Sequence, residues 1–241
     1  MITHKNMLYN LYQSKAWRSD LLEDVDIIVA ITALPLYHIF SLQSNCLAMM
    51  LDGGENILIT NPRDFPAFVK ELAKHSFVYI TGVNTLFASL LNTPGFDKLD
   101  FSSLRWTIGG GMAVQNAVSK NWEKITGQPI LQAYGLTETS PVVSCNIPEK
   151  IKIDTVGPPF KTNEVKIAQD GEILVKGENV MLGYWNMKKE TDDILKNGWL
   201  HTGDIGEITK EGNLKITDRK KDIIITPGGD NISPLKIENE I

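Results

Sequence analysis

Cysteine is scarce in this sequence of 241 residues, which contains only Cys46 and Cys145. The two cysteines lack the spacing of a zinc site or of a redox pair, so neither a disulfide framework nor a cysteine-based metal centre is expected. Both are interpreted as small buried hydrophobic residues. Their scarcity favours a reducing compartment.

Long apolar runs are also missing. No stretch reaches the roughly 18 consecutive apolar residues of a membrane-spanning helix. The range 34–51 comes nearest, but tyrosine, histidine and amide side chains interrupt it. The first ten residues lack the apolar segment of a signal peptide. We therefore expect a cytoplasmic protein, and the sequence leaves peripheral membrane association open.

Several kinds of functional site find no support either. The net charge is −5, so nucleic acid is not an expected partner. The sequence has no G-x-S-x-G motif, no cysteine and histidine set suited to zinc, and no pair of carboxylates spaced for glycoside hydrolysis. These absences point away from the corresponding hydrolases and zinc enzymes.

What is present is an ordinary globular composition with a regular alternation of elements. Hydrophobic residues make up 42% and charged residues 22% of the chain. Short apolar strands alternate with amphipathic helices over residues 1–159, and Asn6 is expected to cap the first helix. The strands are predicted at 26–34, 56–60, 77–81, 105–108 and 130–133, and the apolar spacing of residues 64–75 predicts a helix. This alternation predicts an α/β fold with a doubly wound, mostly parallel sheet.

The pattern changes after Pro148. Residues 160–218 contain short alternating strands at 163–168, 172–176, 205–209 and 213–217, joined by turns, with one helix at about 188–195 and a glycine turn before Asp204. This pattern predicts a small β subdomain. Residues 219–241 are interpreted as a hinge followed by the truncated start of a C-terminal α+β domain. The predicted division is therefore 1–159, 160–218 and 219–241.

The segment Tyr134-Gly-Leu-Thr-Glu-Thr-Ser-Pro141 carries the densest chemistry. Tyr134 could hold a planar ring, Gly135 could let a phosphate approach the backbone, Thr137 could bind phosphate oxygens and Glu138 could ligate Mg²⁺. The alternative is a polar turn after a strand, which is what most such segments are. The segment alone does not decide between them.

Other candidate groups follow the remaining strands, and each has an ordinary alternative. The triplet Gly109–Gly111 could let a ring lie against the backbone, or could be a tight turn. Asp204 could accept hydrogen bonds from ribose hydroxyls, or could be a turn residue. Arg219 could contact ribose or phosphate, or belong to a solvated charged run. His38 could face a ligand carboxyl group or cap a helix.

Taken together, the motifs resemble those of the adenylate-forming (AMP-binding) enzymes, most of all bacterial long-chain fatty-acid–CoA ligases. Their order and spacing match along essentially the whole chain. The matching segments are 34–40, 81–87, 109–112, 134–141, 183–185, 198–204 and 218–222.

The resemblance implies a reaction in two steps, with fatty acid, ATP, Mg²⁺ and CoA as reactants and cofactors. A carboxylate attacks the α-phosphate of ATP to give an acyl-adenylate and pyrophosphate, and the CoA thiolate then attacks the activated carbonyl. The implied catalytic residues are Thr137 and Glu138, with Lys221 as the hinge and Glu138 as the metal ligand.

The resemblance also assigns the binding residues. The implied nucleotide-binding residues are Gly110, Gly111, Tyr134, Gly135, Thr137, Asp204 and Arg219. The implied acyl-site residues are His38, Thr81, Gly82, Val83, Asn84 and Met112.

The sequence departs from the family at both ends. The phosphate loop that precedes a segment like Ile2–Asn6 in the family, and the C-terminal domain with its catalytic lysine, are not in this chain. We therefore expect the chain alone to be inactive and poorly soluble, either as a fragment of a split or decayed gene or as one piece that needs complementing fragments of the same enzyme. The segment Pro227–Pro234 also departs from the usual bacterial pattern, which leaves the substrate open.

Two groups of alternatives remain. One is a ligase for aryl or medium-chain acids, or an acyl-AMP ligase that loads a carrier protein. The other is a non-catalytic remnant or a nucleotide-binding piece of a split protein.

Overall fold

The computed structural model describes residues 1–152, 154–220, 224–225 and 231–232. Its main feature is a six-stranded sheet in the spatial order β2-β1-β3-β4-β5-β6. All neighbouring pairs are parallel except β5 and β6, which are antiparallel. The strands are β1 (Val29–Thr32), β2 (Glu55–Leu58), β3 (Tyr79–Gly82), β4 (Trp106–Gly109), β5 (Ile130–Gly135) and β6 (Val142–Cys145). The predicted doubly wound, mostly parallel sheet is confirmed.

Helices cover both faces of this sheet. They are α1 (His4–Arg18), α2 (Ile39–Ser41), α3 (Ala48–Asp52), α4 (Phe65–Leu72), α5 (Asn84–Leu91) and α6 (Asn116–Thr126). A π-helical segment, Leu42–Leu47, joins α2 to α3, and 3₁₀ turns lie at Ser19–Leu22, Phe96–Lys98, Thr137–Thr139 and Pro148–Lys150. The helices therefore form two layers around one sheet.

Two apolar clusters hold the layers together, one on each face. Ile31 and Ile80 point into the cluster under α4, α5 and α6, whereas their neighbours Ala30 and Tyr79 point into the cluster under α1 and α3. Successive residues of a strand face opposite sides, which explains why these strands are continuously apolar. Trp122 of α6 is fully buried in the first cluster.

The first helix begins one turn earlier than predicted. Thr3 is the N-cap, and its hydroxyl accepts a hydrogen bond from Asn6 N at 3.1 Å. Asn6 returns the contact, because its Oδ1 accepts from Thr3 N at 2.9 Å. The prediction that Asn6 is the cap is wrong: it is the third residue of a capping box, where an amide can take the place of the usual Glu or Gln.

The second sheet is antiparallel, with the strand order β11-β10-β8-β7 and β9 paired with β10. Its strands are β7 (Glu164–Ile167), β8 (Glu172–Lys176), β9 (Leu195–Lys196), β10 (Trp199–Ile208) and β11 (Leu214–Arg219), and α7 (Lys188–Ile194) precedes β9. A short pair, β12 (Ile224–Ile225) and β13 (Asn231–Ile232), follows. Val143 of β6 packs with Ile173, Val175 and Leu214, so an apolar cluster joins the two sheets.

Two strands differ from the sequence prediction. β6 was not predicted, although all four of its residues are buried; it pairs with β5 and makes the segment 136–141 a hairpin connection. β10 begins at Trp199, where a turn was predicted before Asp204. Its register against β8 shifts between His201 and Ile205, so Gly203 forms an irregularity within the strand.

Among the described residues, none of the helices has the length and apolar character needed to cross a membrane. The predicted beginning of a C-terminal domain falls largely outside the described residues.

Candidate functional site

Asp204 lies at the centre of the candidate site and joins two of the sequence motifs. Tyr134, at the end of β5, donates its hydroxyl hydrogen to Asp204 Oδ2 at 2.6 Å. Arg219, opposite Asp204 in the β10–β11 ladder, places Nε 3.3 Å from Asp204 Oδ1. Tyr134, 70 positions before Asp204, and Arg219, 15 positions after it, thus meet at one carboxylate.

The electrostatics of this group reflect its burial. Asp204 is 4% exposed. Burial raises the pKa of its carboxyl group above the ordinary value, and this outweighs the hydrogen bond from Tyr134 and the charge of Arg219, which favour the ionised form. Burial and the nearby Asp204 also raise the pKa of the Tyr134 hydroxyl. Arg219 remains largely exposed, so it can reach a ligand while it contacts Asp204.

Glu138 is held from a second direction, by the segment before α7. Tyr184 donates its hydroxyl hydrogen to Glu138 Oε1 at 2.6 Å, and Met181 N donates to the backbone carbonyl of Glu138 at 2.8 Å. Burial, followed by the hydrogen bond to Glu138 and its charge, raises the pKa of Tyr184 to about 12. One oxygen of Glu138 is therefore engaged, whereas Oε2 has no hydrogen-bond partner among the residues that the structure describes.

The backbone of the 134–141 segment is tightly constrained. A Cβ on Gly135 would come within 2.0 Å of the Pro141 carbonyl oxygen, so no larger residue fits without a shift of the backbone. Leu136 N donates to the same carbonyl at 3.1 Å. Thr137, which follows, is exposed. Its hydroxyl is accessible to solvent beside the half-buried Glu138.

The glycine triplet lies next to the end of β3. Gly82 is opposite Gly109 in the β3–β4 ladder, and Gly110 N donates to the Gly82 carbonyl at 3.2 Å. Gly111 has a φ of +77°, which favours glycine. A Cβ on Gly110 would come within 3.1 Å of the Phe40 ring. Glycine at position 110 therefore lets the backbone lie close to the Phe40 ring, and glycine at position 111 allows the positive φ.

The predicted acyl-site residues occupy the same edge of the sheet but differ in accessibility. His38 is the N-cap of α2, and its Nδ1 accepts from Phe40 N at 3.2 Å, so His38 has the helix-capping role that was the alternative to ligand contact. Thr81 is fully buried and donates to Asn45 Oδ1 at 2.9 Å. Asn84 accepts from Gln115 N at 2.9 Å. Val83 is half-buried and Met112 is exposed.

Some of the groups around the site were not assigned by sequence analysis. Tyr184 stood in a recognised motif without a role, and only its contact with Glu138 reveals one. Asn45 and Glu172 gave no signal, because a single amide or carboxylate has no distinctive spacing. Lys221, the predicted hinge, lies outside the described residues.

The carboxylate of Glu138 fits a magnesium ion that is bound together with a nucleotide. Among the residues whose placement is described, no group of three or more His, Cys, Asp or Glu side chains could hold a metal. Mg²⁺ is commonly bound by one or two carboxylates together with substrate phosphates and water. Glu138, with one oxygen that accepts from Tyr184 and one without a hydrogen-bond partner among the described residues, matches this pattern.

The sequence pattern of the family described as "AMP-binding enzyme" matches residues 1–185. The chain belongs to this family. Its curated relatives include long-chain-fatty-acid–CoA ligases of Salmonella typhimurium, at 51% identity, and Bacillus subtilis, at 36% identity. A feruloyl-CoA synthase of Amycolatopsis is 32% identical. All three matches cover 100% of this chain but 44–50% of the relative, so the chain spans about half the length of these curated relatives.

Solved structures of AMP-binding enzymes share the fold. The o-succinylbenzoate–coenzyme A synthetase of Bacillus subtilis in complex with ATP and magnesium ion has a TM-score of 0.84 at 30% identity. ATP-bound MatB from Rhodopseudomonas palustris has a TM-score of 0.86 at 28% identity. The matches cover 98% and 100% of this chain and 50% and 48% of the other chains. The family resemblance seen in the motifs is confirmed.

Proposed function

We propose that this chain provides the nucleotide-binding part of an ATP-dependent long-chain fatty-acid–CoA ligase. The observation that carries the proposal is the meeting of Tyr134 and Arg219 at the buried carboxylate of Asp204. Three family motifs thus converge on one place. The 51% identity to a long-chain-fatty-acid–CoA ligase supports the choice of substrate class.

The proposed nucleotide contacts follow from what each group offers. Tyr134 stacks on adenine, with Gly110, Gly111 and Gly135 allowing close approach. Asp204 accepts hydrogen bonds from the ribose hydroxyls, and Arg219 donates to ribose or phosphate oxygens. Thr137 donates its hydroxyl hydrogen to a phosphate oxygen. Tyr184 leaves one oxygen of Glu138 to bind Mg²⁺, which when present neutralises phosphate charge.

The proposed reaction has two steps, adenylation of the fatty acid and transfer of the acyl group to CoA. A carboxylate oxygen of the fatty acid bonds to the α-phosphorus of ATP, and the bond from that phosphorus to the bridging oxygen breaks to release pyrophosphate. The CoA thiolate then bonds to the acyl carbon, and AMP leaves with the electron pair of the broken C–O bond. Such transfers depend mainly on positioning and charge stabilisation, and we propose that the residues of this chain contribute the part that concerns the nucleotide.

The acyl group is proposed to lie along the edge formed by His38, the range 81–84 and Met112. An aryl acid is the second candidate, because a feruloyl-CoA synthase is 32% identical over the whole of this chain. Competition by acyl-adenylate analogues distinguishes the two. Long-chain analogues are expected to bind more tightly than aryl analogues, and the reverse order would favour the aryl candidate.

Calorimetric titration of the purified chain with AMP tests the nucleotide site. The wild type is expected to bind AMP, and Asp204→Asn is expected to weaken binding about tenfold or more, because a charged acceptor of hydrogen bonds is lost. Asp193→Asn, an exposed aspartate on α7, is the matched control. Absence of AMP binding by the folded wild type would contradict the proposal.

Pyrophosphate exchange with a long-chain fatty acid tests for catalysis. The chain alone is expected to show little exchange, since it spans about half the length of the curated relatives that it matches. AMP binding without exchange would support a nucleotide-binding role for this chain. Robust exchange by the chain alone would contradict the predicted inactivity.

A further inference from the structure

Glu172 is a buried carboxylate beside the proposed ribose-binding pair, and the proposed function assigns it no role. It begins β8 and is 4% exposed. Gly203 N donates to its Oε1 at 2.9 Å, and Lys220 Nζ donates to its Oε2 at 3.1 Å. His201 Nδ1 lies 3.0 Å from the same Oε2. One side chain therefore contacts three residues on two other strands or their ends.

The partners of Glu172 directly flank the residues that face the nucleotide. Gly203 precedes Asp204 in β10, and Lys220 follows Arg219 at the end of β11. Lys220 N also donates to the Gly203 carbonyl at 2.8 Å, so the two flanking residues contact each other as well. Glu172 thus accepts hydrogen bonds from the residue next to Asp204 and from the residue next to Arg219.

The backbone at this place needs such a contact, because it departs from a regular ladder. Gly203 has a φ of +75°, and the β8–β10 register is interrupted between His201 and Ile205. The ladder alone therefore does not position the residue before Asp204. The hydrogen bond from Gly203 N to the Glu172 carboxylate replaces a missing strand contact.

The charge on Glu172 matters for these contacts. Burial opposes ionisation, but the hydrogen bonds from His201, Lys220 and Gly203 together lower the pKa of the carboxyl group below its ordinary value. The ionised form is an acceptor at both oxygens, and hydrogen bonds to an ionised acceptor are stronger than neutral ones. Asp170 Oδ2, 2.7 Å from Lys220 Nζ, adds a second anchor for the lysine.

We propose that Glu172 is a positioning residue that holds the Asp204–Arg219 pair in the geometry required to bind the ribose hydroxyls, without itself contacting the nucleotide. The proposal rests on the proposed function, because it presupposes that Asp204 and Arg219 face ribose. It makes a specific claim, namely that Glu172 affects recognition of the sugar and leaves the adenine contacts of Tyr134 and the glycines unchanged.

The test compares two probes that differ only in the sugar hydroxyls, AMP and 2′,3′-dideoxy-AMP. Their dissociation constants are measured by calorimetry for the wild type and for Glu172→Gln. Wild type is expected to prefer AMP by about tenfold or more, as loss of hydrogen bonds to a charged acceptor predicts. In Glu172→Gln the preference is expected to fall toward one, because AMP affinity drops while dideoxy-AMP affinity stays.

Glutamine keeps the shape of the side chain but loses its charge and presents an NH₂ group, which cannot accept from Lys220 or Gly203. Glu164→Gln is the matched control: Glu164 lies on the adjacent strand β7 and pairs with Lys176 at 2.9 Å on the surface. The control is expected to retain the full preference for AMP. Circular dichroism checks that each variant is folded.

A second variant covers the case in which Glu172→Gln does not fold. Lys220→Met changes a half-exposed side chain and removes one anchor of the Arg219 end. It is expected to reduce the preference for AMP to an intermediate value. Its preference decides the question if the first variant is unfolded, and an unchanged value would then overturn the proposal.

The test distinguishes the ribose-binding role of Asp204 and Arg219 from the positioning role of Glu172. A wild type that binds AMP no better than dideoxy-AMP would overturn the ribose role of Asp204 and Arg219, and the role of Glu172 with it. A wild type that prefers AMP, together with a folded Glu172→Gln that keeps the same preference, would overturn only the role of Glu172. Equal weakening of both probes would also overturn it, since this is the result of a general structural defect.

Discussion

The two sheets of this protein are stabilised in different ways. Among the described residues, the largest fully buried side chains belong to the first sheet and its helices, for example Trp106, Trp122 and Phe87. The antiparallel sheet shares a cluster of only four fully buried apolar residues, one of which, Val143, comes from β6. Around the candidate site, the antiparallel sheet instead relies on hydrogen bonds to buried carboxylates. The comparison suggests that packing stabilises the first region and polar contacts arrange the second.

The largest expected effect is the removal of an aromatic residue from the first region. Trp122 contacts Phe87 and Phe96 at ring-centroid distances of 4.9 and 5.3 Å, and its Nε1 donates to Thr107 Oγ1 at 3.1 Å. Trp122→Ala is expected to lower the free energy of unfolding by about 3–5 kcal/mol, measured by urea denaturation.

Ile173→Val supplies the comparison from the second region. It shortens a fully buried side chain by one methylene group and is expected to cost about 0.5–1.5 kcal/mol. A loss as large as that of Trp122→Ala would show that the small apolar cluster stabilises the second region as strongly as the large one stabilises the first.

A loss comparable to that of Trp122→Ala is expected when the buried ion pair that joins α1 to α3 is broken. Arg18 Nε donates to Asp52 Oδ2 at 2.9 Å, and both side chains are almost fully buried. Asp52→Ala leaves the guanidinium unpaired and is expected to cost about 3 kcal/mol or more of unfolding free energy.

An exposed ion pair of the second sheet is the matched control. Lys215 Nζ lies 3.2 Å from Glu207 Oε1, and both side chains are exposed. Glu207→Ala is expected to cost less than about 1 kcal/mol in the same urea denaturation. If Asp52→Ala and Glu207→Ala cost the same, burial would not be the source of the difference.

The smallest expected effect concerns Asp204. Its replacement is expected to raise the stability of the folded state, whereas the preceding substitutions lower it. Because burial raises the folded-state pKa of Asp204 above the ordinary value of 3.8, the folded state binds the proton more tightly than the unfolded state. The contribution of Asp204 to stability therefore decreases as the pH rises from 3.8 through its folded-state pKa. Asp204→Asn is expected to remove this decrease and raise the urea midpoint at pH 7.

Asp193→Asn again serves as the control for the stability profile, since this aspartate is exposed. Urea midpoints between pH 3 and pH 7 would be compared for the wild type and both variants. A lower midpoint for Asp204→Asn at pH 7 would contradict the expectation. We therefore expect Asp204 to contribute to nucleotide binding while it lowers the stability of the folded state at pH 7.

Much of the first region could be predicted from its local pattern. The apolar spacing of residues 64–75 predicted a helix, and the structure has α4 at Phe65–Leu72 with Asp64 as its N-cap. Helix and strand periodicity are local properties, and a sheet covered on both faces makes its strands conspicuous in sequence. The exception, β6, is a short run after Pro141 whose partner is decided by the hairpin that precedes it.

The second region was harder to predict in detail. β10 runs through Gly203, a residue that ordinarily indicates a turn, because β8 and β11 pair with it on both sides. Local sequence signals do not include such pairing, so the predicted strand began six residues late. The division of the chain between residues 159 and 160 stays a prediction. An apolar cluster contains residues from both sides of this position.

The candidate site divides in the same way. The order and chemistry of the motifs, including Tyr134, Glu138, Asp204 and Arg219, were evident in the sequence, because a family pattern is carried by residue types and their spacing. The contacts from Tyr134 to Asp204, from Tyr184 to Glu138 and from Glu172 to Gly203 and Lys220 were not. The first contact joins the two sheets, the second joins two connecting segments, and the third joins strands within the antiparallel sheet. All three depend on the tertiary fold, and no local pattern encodes which distant donor reaches a given carboxylate.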